Sequence, residues 1–430
     1  MRRCGFWKGI SGLLIFIGIL CTMQNAHASG FGIYTQSASS LGQGSAVVAH
    51  TDSPSTIFFN PALMNRLSGT QVELGTTLLI PNREFQSASG SISDTKDTVF
   101  FPSTFYITHK FSDKISAGLG VFNPFGLGTD WGDTWEGRYL ATKSEMATYN
   151  INPAVSLQVL PWLSVAAGLD ILILDATLEN KINLTGATMG AFGSLPDANQ
   201  KFDGDGTGVG FNVGLAADLT KDISLGFSYR SEISVDPEGD VSFAIPGSIP
   251  EPLYSGLRST FTDSGAKTHI TLPQQIYAGV AYKGLPRWIF EAGMRWEGWS
   301  SFKHLKVNLD NGLSQVQARN WDDTFAIDFG AQYKLNDRVT LRGGYLFGEN
   351  PVPDDTFEPA IPDSDTHLFC IGSSFAFDKL GFDLAYAYQL QYDRNKNNAI
   401  GDPFNPGTGT ANGKYSTDIH LIAASLAYKF

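Results

Sequence analysis

Cysteine is almost missing from this chain: three residues in 430, at Cys4, Cys21 and Cys370. Charge is sparse as well, at 17%, where soluble domains carry about 25%. What charge there is leans acidic, with a net of −12, so there is no basic face to neutralise nucleic-acid phosphates. Past the N-terminus no apolar run reaches the roughly 18 residues a spanning helix needs, and mean hydropathy is −0.08. A polytopic helical membrane protein is therefore excluded. Two residue classes are abundant instead: 46 glycines and 12% aromatics, 30 of them Phe.

Residues 1–28 read as an address. Arg2, Arg3 and Lys8 precede an apolar stretch from Ile10 to Leu20, and Ala26-His27-Ala28 is a small-x-small cleavage site, the pattern of a secretory signal peptide. Gly18-Ile19-Leu20 before Cys21 does not fit a lipoprotein site. Cleavage would leave Cys370 alone, so no intrachain disulfide is available, and would leave 27 basic against 42 acidic residues. An exported chain without disulfides must draw its stability from its own architecture.

The dominant pattern after residue 68 is alternation with period two. Phe382, Leu384, Tyr386, Tyr388 and Leu390 oppose Asp383, Ala385, Ala387, Gln389 and Gln391. Ile223, Leu225, Phe227 and Tyr229 oppose Ser224, Gly226, Ser228 and Arg230. Fourteen such segments fall at about 69–81, 98–111, 114–127, 145–159, 162–180, 208–219, 222–236, 266–283, 286–297, 321–335, 337–348, 366–377, 379–392 and 415–430. Short connections such as Leu160-Pro161 and Thr220-Lys221 alternate with long ones rich in Gly, Pro, Asp and Asn. Short turns on one rim and long loops on the other mark an up-and-down barrel in an outer membrane. A soluble sandwich would bury its apolar face in a shared core; here the second face is Gly, Ala, Ser, Asp and Gln, which suits a lumen. Phe111, Trp162, Tyr282, Trp288, Tyr333 and Tyr428 crowd the short-turn rim as an interfacial girdle. The predicted fold is all-β, a 14-stranded antiparallel transmembrane β-barrel over residues 69–430, in a bacterial outer membrane.

Two departures from alternation carry information. Residues 29–68 show no strand pattern and are rich in small residues, from Ser29-Gly30-Phe31-Gly32 through Ser37–Ala46; Thr51-Asp52-Ser53-Pro54 offers a helix start, and Ile57–Leu63 is a short apolar turn. Small residues with a few apolar anchors fit a plug folded inside the lumen better than a charged, disordered tail. In the third segment, Ile115, Ala117, Leu119 and Val121 alternate with Ser116, Gly118 and Gly120, and then Phe122-Asn123-Pro124-Phe125-Gly126 breaks the pattern. Pro124 cannot donate a ladder bond and Gly126 permits a bulge. Either the strand ends at Val121, or the wall carries a missing rung that protein must cover.

Gly30-Phe31, the run from Asp52 into Asn60-Pro61-Ala62-Leu63, fourteen strands and seven long loops together resemble the FadL/TodX family, outer-membrane transporters of long-chain fatty acids and aromatic hydrocarbons. The resemblance covers essentially the whole mature chain. It implies an N-terminal hatch over 29–68, with gating at Phe31 and a base fixed by Asn60, Pro61 and Ala62. It implies that the break at Phe122–Gly126 is an inward kink through which cargo leaves sideways. Family members that carry fatty acids hold the carboxylate with lumen basic residues; Arg230, Arg295 and Arg342 fall on lumen faces here, beside Asp170, Glu291, Asp328 and Asp383. Those arginines are either ligand contacts or partners of the lumen acids. The place of the family's strand-five arginine corresponds to Asp175, a departure that favours a neutral cargo. Trp131 and Trp135, with Phe125, Leu127 and Leu184, are candidates for an outer apolar groove.

Enzyme signatures are lacking. There is no Gly-x-Ser-x-Gly elbow and no phosphate loop, and the histidines lack metal-ligand spacing. Asp203–Gly208 resembles a calcium loop only faintly, with Gly214 where a carboxylate is needed, and reads as a flexible polar loop. The expected activity is passive outer-membrane transport of hydrophobic small molecules by a monomer without cofactor or nucleic-acid partner, in contact with outer-membrane lipid. A general porin and a barrel-borne enzyme are the alternatives.

Overall fold

The computed structural model describes residues 30–430 apart from 406–408, so the expected leader, 1–28, lies outside the described residues. Fourteen strands form the wall: β1 (Thr70–Ser87), β2 (Ser103–Lys110), β3 (Ile115–Phe122, resumed as Gly126–Asp130), β4 (Lys143–Leu160), β5 (Leu163–Ile182), β6 (Ala198–Asp218) and β7 (Ile223–Arg230) make one half. The other half is β8 (Gln275–Tyr282), β9 (Trp288–Glu297), β10 (Thr324–Lys334), β11 (Val339–Gly348), β12 (Thr366–Phe377), β13 (Leu380–Gln391) and β14 (Gly413–Lys429). Each pairs antiparallel with its neighbours in chain order. β1 also pairs with β14, from Gln71↔Lys429 to Ser87↔Gly413, and the sheet closes on itself. Closure is what a bilayer demands, since an open edge would leave backbone N–H and C=O groups unpaired in hydrocarbon.

Alternation sets which face meets lipid. Val155, Val209, Phe227, Val280, Phe325, Phe369 and Leu426 point outward and are exposed, and Phe111, Trp162, Tyr282, Trp288 and Tyr428 are exposed near the short-turn rim. Asp170, Arg230, Glu291, Arg295, Asp328, Arg342 and Asp383 point inward and are buried. Two predicted segments differ from the structure in an instructive way. β6 begins at Ala198, so the Asp203–Gly208 run is strand and not a flexible loop; it pairs with β5 (Asp175↔Asp205) and with the loop strand Glu238–Ala244 (Glu238↔Asp205). In the second segment the ladder with β3 starts only at Phe105, and residues 98–102 have no partner on that side.

The bore is occupied by the chain's own beginning. Residues 35–50 are buried throughout, and so are 53–64. Val47, Val48, Ile57, Phe58, Phe59 and Met64 pack with the wall residues Tyr106, Phe122, Ala154 and Tyr277. Ala38 and Leu41 pack with Leu346, Leu368, Leu421 and the lone Cys370, while Ala62 and Leu63 meet Ala166 and Ala216. Each buried Phe or Ile is worth roughly 1.5–3 kcal/mol. Glycine makes this contact possible: a Cβ on Gly226 would sit 1.9 Å from the Val48 carbonyl oxygen, and one on Gly344 would sit 2.1 Å from the Gln43 carbonyl carbon. The high glycine content therefore serves the inner face of the wall.

Three polar anchors fix the segment. At its start, the Gly30 amide donates to Asp363 Oδ2 (2.8 Å) in the loop before β12. In the middle, Glu291 accepts from the consecutive amides of Val48 (2.5 Å), Ala49 (2.8 Å) and His50 (3.0 Å) and contacts His50 Nδ1 at 2.6 Å. Near its end, Asn60 caps the 3₁₀ turn Pro61–Arg66 through Oδ1 to the Ala62 amide (3.2 Å), while its Nδ2 donates to Val48 O and to Leu215 O of β6, both at 2.9 Å. Asn60→Ala would strip partners from two buried carbonyls and one amide, each worth about 1–3 kcal/mol when left unsatisfied. The expected outcome is faster protease cleavage within 30–68 while the barrel keeps its heat-modifiable mobility on gels. Equal cleavage rates would show that Asn60 is not an anchor.

Two of these anchors titrate in the same direction. Burial pushes the Asp363 carboxyl up to about 7, against the pull of the Gly30 and Ser364 amides and of Arg394 and Arg83. Burial disfavours a charged His50 ring, but its bond to Glu291 and the charges of Glu291 and Asp52 outweigh that, with Gln332 adding to them, and raise it above the usual value. Both folded values lie above their unfolded ones. The Asp363 contribution is thus full below about pH 4 and lost through about 7, and that of His50 is full below about pH 6.5 and lost above it. With the base-catalysed rise of intrinsic exchange divided out, amide protection in the N-terminal segment should fall on going from about pH 4 to about pH 9. Asp363→Asn with His50→Gln should flatten that slope, as read by hydrogen exchange.

Candidate functional site

Among the described residues, the break in the wall that carries an extra residue and loses its neighbouring ladder is in β3. Phe122 pairs with Asn150 and Gly126 pairs with Ala147, so the three residues 123–125 oppose only 148 and 149. One extra residue flips the faces: Phe122 shares the inward face of Asn150, whereas Gly126 and Gly128 pair with the outward positions Ala147 and Glu145. On the β2 side the ladder stops at Phe105↔Val121. Below the interruption the Ser103 amide donates to Asn123 Oδ1 (3.0 Å), and above it the Lys96 amide donates to Asp130 O (2.7 Å). The gap between 97–102 and 124–129 is thus bounded at both ends.

The orphaned backbone groups find partners inside the barrel. The Ile33 amide donates to Pro124 O and the Gly126 amide to Phe31 O, both at 2.9 Å, around a Gly32↔Phe125 bridge. On the β4 side Asn123 Nδ2 donates to Thr148 O (2.6 Å), and the Phe125 amide donates to Thr148 Oγ1 (3.0 Å). Residues 31–33 therefore occupy the strand edge that β2 would have taken. All five residues singled out in sequence, Phe122, Asn123, Pro124, Phe125 and Gly126, lie in this break. Phe31 is held in an aromatic nest, edge-on to Trp299 with ring centres 4.6 Å apart and to Phe125 at 6.1 Å, with Trp321 at 5.5 Å.

A cavity of about 290 Å³ lies beside this junction. Inward residues line one part of it: Phe31, Ile33, Leu79, Pro81, Phe125, Met146 and Leu421. Residues of the outer face line another: Phe101, 61% exposed, and Tyr149, 51% exposed. The cavity thus reaches residues of both faces of the wall at the break. Its polar groups are few and include Arg83, Asp363, Gln389, Gln391 and Thr366. Arg83 donates to Gly128 O at 2.8 Å. Sequence reasoning did not single out Arg83 or Asp363; β1 alternation places Arg83 on the inner face, but nothing local connects Asp363 to Gly30, 333 residues away.

The three lumen arginines are each engaged by protein. Arg230 contacts Asp170, which also accepts from Asn150 Nδ2 (2.6 Å) and Asn212 Nδ2 (2.9 Å). Arg342 bonds Asp52 (2.6 Å), which lies in the N-terminal segment, as well as Ser374, and faces Asp383 at 3.7 Å. Arg295 lies 3.5 Å over the Tyr34 ring and 3.7 Å from Glu297. None of the three lines the cavity.

The loop aromatics are placed differently from the expectation of an outer groove. Trp131 and Trp135 are each only 4% exposed and stack at 4.6 Å, with Trp131 Nε1 donating to Pro359 O and Trp135 Nε1 to Ala141 O. They form the core of the loop cap with Phe85, Phe357 and Tyr415, and they do not line the cavity. Leu184 is buried in a separate loop cluster. Asp175 is exposed on the outer face of β5 while Leu172 and Leu174 point inward, so its charge says nothing about the lumen. No group of carboxylate, His or Cys side chains able to hold a metal occurs among the described residues.

Comparison with known proteins agrees with this architecture. A family model described as outer membrane protein transport protein (OMPP1/FadL/TodX) matches residues 19–430. A long-chain fatty acid transport protein of Salmonella typhi is 25% identical over 391 residues, covering 86% of this chain and 88% of the relative. The fold is shared with a Pseudomonas aeruginosa FadL homologue (TM-score 0.84, 20% identity, 94% of this chain and 100% of that one). It is shared too with the P. putida toluene transporter TodX (TM-score 0.74, 18% identity, 94% and 99%). With a closed barrel, a bore filled from its own N-terminus and a family match over nearly its whole length, this chain belongs to the FadL/TodX family of outer-membrane transport proteins.

Proposed function

We propose that this protein carries small hydrophobic molecules passively into the outer membrane and releases them sideways through the break in β3. The observation that carries the reading is the cavity bordered by Phe31 and Ile33 on one side and by the lipid-facing Phe101 and Tyr149 on the other. Residues 29–68 act as a hatch, with Phe31 at its upper end and Asn60, Pro61 and Ala62 fixing its base against β6. A monomer in outer-membrane lipid suffices, and no energy source or cofactor enters.

Cargo polarity follows from which charges are free. Arg230 and Arg342 are already occupied by Asp170 and Asp52, so a carboxylate would have to displace a buried partner to reach them, whereas Arg295 keeps Nε and Nη2 free of hydrogen bonds but lies outside the cavity. Within the cavity Arg83 is the single basic group, and Asp363 shares the lining. This favours an uncharged or weakly polar cargo, such as an aromatic hydrocarbon, with long-chain fatty acids as the second reading, their head group meeting Arg83. A relative named as a long-chain fatty acid transport protein and a neighbour titled a toluene transporter span the same two classes. A general porin would need an open charged constriction, whereas the bore here is filled; a barrel enzyme would need a paired nucleophile and base at the outer rim.

Removing the extra residue and restoring pairing tests the route. Deletion of Pro124 combined with Gly126→Val should reduce uptake of labelled toluene or fatty acid to the level of cells lacking the protein, with heat-modifiable barrel assembly intact. Undiminished uptake would reject lateral release. Liposome swelling in sugar solutions should stay near background; free sugar passage would favour the porin.

A further inference from the structure

The break in β3 is covered from outside as well as from within. We infer that the Phe100 ring is the shutter of this opening, and that its contact with Gly128 sets the width of molecule that can leave. The inference rests on the lateral route proposed above. Phe100 is held by its backbone alone: its amide donates to Leu79 O at 3.0 Å and its carbonyl accepts from the Leu79 amide at 2.9 Å. As the bridge partner of Leu79, it shares the inward face of β1. Gly128 lies across the gap on the outward face of β3, because the bulge has reversed the register there. A Cβ on Gly128 would fall 2.0 Å from the Phe100 ring. The two edges therefore overlap like shingles, with an inward ring lying on the outer side of a residue that has no side chain.

The surroundings make this contact a limiting one. The frame is fixed above by the Lys96–Asp130 ion pair (3.0 Å) and the Lys96 amide bond to Asp130 O, and below by Ser103 to Asn123. The backbone of 96–102 is pinned to Asp130 at one end and to Leu79 and Thr77 of β1 through Phe100 and Pro102, so the width changes at little cost by rotating or removing the Phe100 ring. Phe100 and Gly128, together with Pro81 and Arg83, border both the main cavity and a small recess lined by Thr95, Lys96 and Glu145, so the ring stands between an apolar and a polar space. Straight chains and single rings with few substituents fit past a ring edge; methyl-branched chains and crowded rings do not.

The test is uptake selectivity in cells making the full chain. Two probe pairs match chemistry and differ in width: toluene against mesitylene, and a straight-chain fatty acid against a methyl-branched acid of the same chain length. The pair that the wild-type protein transports is used. Phe100→Ala should raise the wide-to-slim uptake ratio on the order of tenfold. Hanging a ring from the other edge, in Phe100→Ala with Gly128→Phe, should bring the ratio back towards wild type, which a general loosening of the wall would not do. Phe100→Leu serves as a milder variant, with an intermediate ratio, and gel mobility reports assembly for each. A ratio that stays flat in Phe100→Ala, or that rises and is not restored by the double change, overturns the shutter. The Pro124 deletion separates this from the route itself: lost uptake there with a flat ratio here rejects the shutter alone, whereas retained uptake there rejects the route on which it rests.

Discussion

Every backbone hydrogen bond of a membrane-spanning wall has to be made within the protein, and the rest of this molecule follows from how that demand is met at one place. β3 carries one residue too many, so its upper half cannot continue the ladder to β2. In lipid the vacant amides and carbonyls would each cost several kcal/mol. The chain supplies partners from inside, with Phe31 and Ile33 bonding Gly126 and Pro124. The same two bonds therefore complete the wall and hold the N-terminal segment. In a membrane wall an interruption of this kind needs protein on its inner side, and here the filled bore supplies it.

The buried charges have a matching logic. An empty bore could leave lumen charges to water, but a filled one must pair them, since unpaired buried charges are strongly unfavourable. Asp170, Asn150, Asn212 and Arg230 form one set in the wall, from which Arg230 also donates to Phe58 O of the N-terminal segment at 3.3 Å. Others use the N-terminal segment as the counterpart: Glu291 receives three of its amides, and Arg342 receives Asp52. These contacts fix orientation more than they add stability, because the segment's Val48 and Asp52 can satisfy their partners in one seating only.

Much of this was legible in the sequence because strands write their faces with period two. The alternation of Phe382 through Leu390 places lipid and lumen faces without reference to any partner, and Pro124 with Gly126 marks the break by chemistry local to the strand. Other features depended on contacts that no local pattern records. Residues 98–102 look like strand, yet their partner edge is taken by Phe31–Ile33 from far upstream. Asp203–Gly208 has the composition of a loop, and long-range pairing with Asp175 and Glu238 makes it strand. Trp131 and Trp135 were expected near an outer surface because they lie in a loop, but a loop cap large enough to have its own core buries them. Asp175 looked like a departure in the lumen until the register placed it outside. The local signal for the inner packing is glycine: those on lumen faces, such as Gly226 and Gly344, stand where another backbone passes within contact distance.

The proposed route also has an energetic scale that the geometry bounds. Withdrawing residues 31–33 from the break would forfeit two backbone hydrogen bonds, roughly 1–3 kcal/mol for each group left unsatisfied, together with the packing of Phe31 against Trp299 and Trp321. Spontaneous opening would therefore be rare, on the order of one part in a thousand or less. A small apolar cargo that buries about 150 Å² in the cavity gains roughly 4 kcal/mol at ~25 cal/mol per Å², which offsets the lower end of the loss, about 4 kcal/mol for the four groups of the two bonds. A ligand that binds better to the withdrawn state than to the closed one can thus shift the balance, since only differential affinity moves an equilibrium. Sugars and ions gain no such area and have no means of offsetting the broken bonds. Selection for apolar cargo then resides as much in the free energy of opening as in the shape of the path, and the outer membrane, which lacks a store of energy for transport, needs none for this step.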